Sequence, residues 1–302
     1  MTEAATATSQ PPTAPARARL RPSLWWLILP CLLFFLIFFL IPVAALFASS
    51  FDKAAQGVIT FQGNFSLENY QRLLSRQLYY GAIWRSVWIG AVVSFLCLAI
   101  GYPLAFVIAR ALKPSTATLL TILVLSSMQL DMVIRLYGMM VLMGDNGLIN
   151  GALMALGIIS APLPLMYNAF GVVVGLVQLT LPFMILSLIG AIKSIDPSLE
   201  EAARSLGSSR WHVLTRITWP LTLPGVYAGT LLVFALAIAS YVVPALMGGW
   251  KVITLPIHIY QQIAEVGRWQ FGAAVATVLF VTSLLAMGLY IVALRRNAGG
   301  RV

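Results

Sequence analysis

Six long apolar runs, separated by shorter polar segments, set the pattern of this chain; they cover about 23–47, 86–109, 117–143, 166–192, 223–246 and 271–294. Each is long enough at the helical rise to cross ~30 Å of hydrocarbon. The pattern predicts an all-α membrane protein with six transmembrane helices, its transmembrane domain spanning 23–298. The first run follows basic residues as a signal peptide would, but a secretory apolar region is only ~7–15 residues long. A retained first helix is expected. Pro30, Pro42, Pro103, Pro182 and Pro244 fall in or beside the runs, where neighbouring helices can satisfy the freed carbonyls. Trp25, Trp26, Trp84, Trp88 and Trp269 stand near predicted span ends, the position of an aromatic belt.

Composition agrees. Hydrophobic residues make up 60% of the 302 and charged residues only 9%, too few to cover a soluble surface. The net charge of +10 does not imply nucleic acid, because the basic residues form no stripe with interleaved aromatics. They follow topology instead. With the N-terminus inside, Arg17, Arg19, Arg21, Arg110, Lys113, Lys193, Arg204, Arg210, Arg216, Arg295, Arg296 and Arg301 lie inside. Lys53, Arg72, Arg76, Arg85, Lys251 and Arg268 then lie outside, a two-to-one bias that puts both termini in the cytoplasm. The tail 1–22, rich in Ala, Pro and Thr, cannot bury a core and is expected to be a disordered cytoplasmic segment.

The long polar connection, 194–222, joins the fourth and fifth spans. It opens Asp196-Pro197-Ser198-Leu199-Glu200-Glu201, which allows two helix starts. Ser198 with Glu201 forms a capping box, or Asp196 caps with Pro197 first. In both, Glu200 and Glu201 sit in the first turn, where the helix dipole favours negative charge. Ala202 and Ala203 keep the helix thin, and Gly207 is a natural stop. A second short helix is expected from Ser208 or Ser209, with Trp211, Leu214 and Ile217 on one face and Pro220 ending it. Such a helix suits a groove on a partner protein or the headgroup layer of the membrane, helped by Arg204, Arg210 and Arg216.

The spacing Glu201-Ala202-Ala203, three residues, Gly207, nine residues, Ile217, then Pro220 resembles the EAA loop of type I ABC importer permeases. Trp219 stands where that family has Leu. Ser66-Leu67-Glu68-Asn69-Tyr70, Gly101-Tyr102-Pro103-Leu104-Ala105 and Gly248-Gly249 are similar to its spermidine/putrescine branch. The resemblance implies a type I ABC importer permease fold with a cytoplasmic coupling helix, in a bacterial inner membrane. It assigns ATPase coupling to Glu200, Glu201, Ala202, Ala203, Leu206, Gly207, Ile217 and Pro220. The implied partners are a cytoplasmic ATPase dimer, a second and different permease chain, an extracytoplasmic binding protein and membrane lipid. ATP and Mg would belong to the ATPase, and this chain would bind no cofactor. Polyamine is the implied substrate, with opines, amino acids, iron and phosphonates as alternatives.

Residue chemistry is consistent with transport. The chain has no G-x-x-x-x-G-K-[ST] phosphate loop. Cys31 and Cys97 lie in apolar runs and supply neither a disulfide nor a metal framework. His212 and His258 lack the companions of a metal site or catalytic triad, which argues against a membrane-embedded enzyme. No catalytic residue is assigned. Asp131 and Arg135 are ionisable within a predicted span and, four apart, can pair on one face. With Tyr137 they are candidates for a substrate path, or for a self-satisfied ion pair. Ser240 and Tyr241 are further candidates, or polar glue between helices.

Overall fold

The computed structural model describes residues 22–53, 57, 63–111 and 113–299, with side chains described between 28 and 292. The predicted tail therefore lies outside the described residues except for Pro22, as do the side chains of Trp25 and Trp26. The chain divides into two compact units, Met1–Leu46 and Phe47–Val302.

The first unit holds α1 (Pro22–Phe35), a π turn (Leu36–Leu40) and the start of α2 (Ile41–Ser50). The wide turn has a reason in the sequence. Pro42 cannot donate to the carbonyl four residues back and would clash with it. One extra residue in the turn, closed by Ile41 N–H donating to Leu36 O, relieves that demand. Phe34, Phe38 and Leu32 are among many exposed apolar side chains here, as a lipid-facing helix requires.

In the second unit, α3 (Glu68–Ser75) packs beside the end of α2. Asn69 is buried and donates to Ser50 O at 3.1 Å and Asp52 O at 2.8 Å, while Tyr70 and Ser50 share a hydroxyl contact at 2.6 Å. Then come α4 (Gln77–Ala109), α5 (Pro114–Ser126), α6 (Met132–Met143), α7 (Leu148–Ala155) and α8 (Ala169–Lys193). The polar connection forms α9 (Pro197–Ser205), α10 (Arg210–Val213) and a second π turn (Leu214–Thr218). The chain ends with α11 (Trp219–Ala239), α12 (Val242–Gly248), α13 (Leu255–Tyr260), a third π turn (Gln261–Glu265) and α14 (Trp269–Gly299). Among the described residues no strand forms; Asp52 and Phe65 make an isolated antiparallel bridge.

The main core lies between α4, α8 and α11, around Val93, Cys97, Leu176, Met184 and Val233. Small residues let these helices close up, as expected where lipid gives no hydrophobic drive. A Cβ at Gly225 would collide with Ala191, and Gly225 O accepts from Ser187 Oγ at 3.1 Å. A second core joins α3, α13 and the starts of α4 and α14 through Leu73, Tyr79, Leu255 and Phe271. Burial of Tyr79 and Ala82 in it explains why α4 begins at Gln77, nine residues before the predicted span.

Among the described residues, six helical stretches are long and apolar enough to cross a membrane: Ile28–Ser50, Gln77–Ala109, Met132–Ala155, Ala169–Lys193, Arg210–Ala239 and Trp269–Val292. Two predicted spans need correction. The third, 117–143, is not one helix. It breaks after Ser126, where the Ser126 and Ser127 hydroxyls bond back to Leu123 O and Val124 O, and restarts at Met132 under an Asp131 cap. It turns again at Gly144–Gly147, held by the buried Asn150 side chain on Gly144 O and Leu163. The fifth, 223–246, breaks at Ser240, the residue whose carbonyl the ring of Pro244 would strike in a continuous helix. Pro220, in contrast, does not end its helix. The π turn before it, closed by Trp219 N–H on Leu214 O, lets α11 run straight on.

Candidate coupling segment and membrane cavity

Of the two possible starts for α9, the structure takes Asp196. Its carboxylate accepts from Ser198 N–H at 2.9 Å with Pro197 at the first helical position. That bond holds the Asp196 carboxyl below the usual carboxylate range. The helix closes in a Schellman motif: Ser208 N–H donates to Ala203 O at 3.1 Å and Gly207 N–H to Arg204 O at 3.0 Å. The motif demands a left-handed residue, and Gly207 supplies it with φ +88°. Ser209 then caps α10 through His212 N–H at 3.2 Å.

Glu200 and Glu201, adjacent in sequence, part company. Glu200 turns inward and accepts from Arg110 Nη2 at 2.7 Å, Arg110 Nε at 3.1 Å and Thr218 Oγ1 at 3.2 Å. Arg110 Nη2 also reaches Ile195 O at 3.3 Å. One carboxylate thus ties α9 to the end of α4 and to the π turn below α11. Glu201, Ala202, Leu206 and Gly207 are exposed, with Ala203 half-buried behind them. Leu206 is 88% exposed and Trp211 73%, a large apolar presentation for a polar segment. Ile217 and Pro220 are half-buried at its root. Trp219, the departure from the EAA pattern, sets its ring edge-on to Tyr102 at 4.9 Å, and the Tyr102 hydroxyl meets Thr222 Oγ1 at 3.2 Å. By sequence, Arg110 stands only as a topological charge, Tyr102 only within the resemblance over 101–105, and Thr218 has no role. An arginine just past an apolar run reads as a topological charge, and nothing local points it at a residue ninety positions away.

The intramembrane pair is also corrected. The Asp131 and Arg135 side chains do not pair; what joins the two residues is backbone Arg135 N–H donating to Asp131 O at 3.1 Å. Asp131 lies outside the helix as its cap, so its Oδ1 folds over the first turn onto Val133 N–H at 2.8 Å. Arg135 Nη2 instead donates to Gln178 O on α8 at 2.8 Å. Asp131, Arg135 and Ser240 nonetheless line one cavity of about 600 Å³, with Thr180 and Phe183 of α8 in its wall. Tyr137 and Tyr241 are not among its lining residues; Tyr137 is exposed and Tyr241 stacks on Tyr260 at 4.7 Å. Thr180 is the twelfth of the 25 residues of α8, ~17 Å along it at the helical rise, so the cavity lies near the middle of the span. An unpaired charge at that depth costs ~2.5–3.5 kcal/mol on insertion scales.

Six apolar helical stretches among the described residues, with a capped and exposed connection between the fourth and fifth, define a multi-pass membrane protein. The chain belongs to the family described as binding-protein-dependent transport system inner membrane component, whose profile matches residues 18–298. It is 38% identical to the spermidine/putrescine transport system permease protein PotB of Haemophilus influenzae over 84% of this chain and 88% of that one. It is 36% identical to the PotB protein of Escherichia coli over 74% and 80%. Among solved structures it is similar to a bacterial ABC transporter involved in alginate import, with a TM-score of 0.70 at 18% identity over 91% of this chain and 95% of that one. An inward-facing methionine ABC transporter matches with a TM-score of 0.55 at 17% identity, over 76% and 98%.

Proposed function

We propose that this chain is one permease subunit of an ATP-driven polyamine importer, with both termini and the Pro197–Thr218 segment in the cytoplasm. A separate ATPase dimer binds ATP and Mg and receives α9 in a surface cleft. A second, different permease chain completes the pathway, and an extracytoplasmic binding protein delivers spermidine or putrescine. The polyamine assignment is supported by the two PotB relatives, each matched over most of its length.

The observation that carries the coupling role is the two-sided build of α9. Its inner face is bolted by Glu200 to α4 and α11, and its outer face leaves Glu201, Ala202 and Leu206 exposed. A helix held this way transmits a push from its outer face to two core helices, because packed elements move as units rather than deforming. The test is uptake of labelled spermidine by liposomes carrying the complete complex, with ATP on the ATPase side and binding protein on the other. Glu201→Lys and Gly207→Asp are expected to abolish uptake without impairing membrane insertion. Uptake that persists in either variant contradicts the docking assignment.

A further inference from the structure

Two helix interruptions in different spans meet at one place. The break after α5 supplies Gln129 and Asp131 to the cavity wall, and the break between α11 and α12 supplies Ser240. Irregular backbone at membrane depth is tolerated only where protein buries it or it lines a water-filled space. Helix ends at such breaks leave carbonyls whose partial negative charge favours cations; α5 and α11 both end here, and the opposite pole, the start of α6, is already met by the Asp131 cap. Among the described residues the one carboxylate in the lining is Asp131, which spends one oxygen on Val133 N–H. Arg135 keeps its positive charge in the same lining, but its Nη2 is directed to Gln178 O rather than to the Asp131 carboxylate. The wall therefore offers an exposed carboxylate beside hydroxyl groups, and no cation bonds to that carboxylate.

We infer that Asp131 is the ammonium-accepting residue of this permease, a transient station at which a protonated amine of the substrate exchanges its water for a carboxylate oxygen. The inference rests on the polyamine-importer reading. With Arg135 balancing Asp131 in the lining, selection for an ammonium comes from its direct hydrogen bond to the carboxylate, not from a net charge of the wall.

The cap and the charge can be separated. Asn caps a helix as well as Asp does, so Asp131→Asn keeps the Val133 bond and removes only the charge. The experiment reads spermidine uptake and ATP hydrolysis together in liposomes containing the complete complex. Asp131→Asn is expected to retain hydrolysis stimulated by the binding protein but to lose on the order of tenfold or more in spermidine moved per ATP, the scale of one charge-assisted hydrogen bond. Asp131→Glu should recover part of the loss, and Asp131→Asn with Arg135→Gln should transport no better than Asp131→Asn alone. Unchanged uptake per ATP in Asp131→Asn overturns the inference. So does recovery in the double variant, which would make the carboxylate a counter-ion for Arg135. A wild-type complex that hydrolyses ATP but moves no polyamine would overturn the polyamine reading, and this inference with it; normal wild-type uptake that Asp131→Asn leaves intact overturns the inference alone.

Discussion

The guanidinium of Arg110 at the end of α4 grips the carboxylate of Glu200 in α9 through two hydrogen bonds, at 2.7 and 3.1 Å, across ninety residues of chain. Each side chain is 17% exposed, sheltered enough that solvent screens the pair only in part. The same Glu200 oxygen accepts from Thr218, so the exposed helix cannot shift without loading both core helices.

Breaking that joint should cost stability and transport together. Arg110→Ala leaves a sheltered carboxylate with only Thr218, a loss of about 1.5–3 kcal/mol for charged hydrogen bonds. A lowered Tm in detergent and reduced uptake are expected, while the ATPase still copurifies because Glu201 and Leu206 are untouched. Unchanged Tm and uptake would contradict the anchoring role.

Gly207 tests backbone conformation alone. Nothing lies within 4 Å of a Cβ built there, so substitution meets no clash, only the left-handed φ. Ala should cost ~1–2 kcal/mol, Asn less and Val more. Uptake is expected to fall in the order Gly, Asn, Ala, Val; a Val variant equal to wild type would show the turn to be dispensable.

Leu206→Glu should separate docking from folding. Leu206 is the C-cap of α9, but its backbone makes the cap bonds and its side chain is exposed, so the change in stability should stay near ~0.5 kcal/mol and Tm should hold. Copurification of the ATPase should be lost. Retention of the ATPase at wild-type level would place the contact elsewhere.

His258 should make the second core sensitive to acid. It lies in α13, outside the six candidate spans, only 3% exposed, with Nδ1 facing Gln261 Oε1 at 3.2 Å and Nε2 without a hydrogen-bond partner. Burial pushes its pKa below the ordinary 6.5, and the charge of Arg85 adds to the shift. The folded protein therefore takes up the proton less readily than the unfolded chain. Its stability contribution is intact above about pH 6.5 and is lost as pH falls below that value. Thermal unfolding from pH 8 to 5 should show a steeper acid loss in wild type than in His258→Gln; equal slopes would contradict this.

Much of the coupling segment could be read directly because its signals are local. Asp196-Pro197 at one end and Gly207 at the other are caps, and caps depend on a few neighbouring residues. The break in the third span was hidden, and that in the fifth was marked only by Pro244, which membrane helices can also carry unbroken. Hydropathy registers apolar character but not continuity, and 117–143 contains no proline to mark its interruption. Pro220 misled in the opposite sense, since a π turn absorbs it, and that turn is a choice of the surrounding packing. Asp131 and Arg135 had helix-pair spacing, but spacing cannot distinguish a helical residue from a cap. The Arg110–Glu200 joint was invisible for a simpler reason: it is set wholly by the packing of α4 against α8 and α11.

The most direct test of the coupling role is a site-specific cross-link from position 206. With Cys31 replaced by Ser, Leu206→Cys in the assembled complex should form a short-spacer cross-link to the ATPase subunit. Formation of that product at Leu206→Cys, and its absence at Trp250→Cys in the predicted outer loop, is the expected result. Failure at position 206 in an actively transporting complex, or a product at Trp250→Cys instead, would contradict the placement of α9 against the motor.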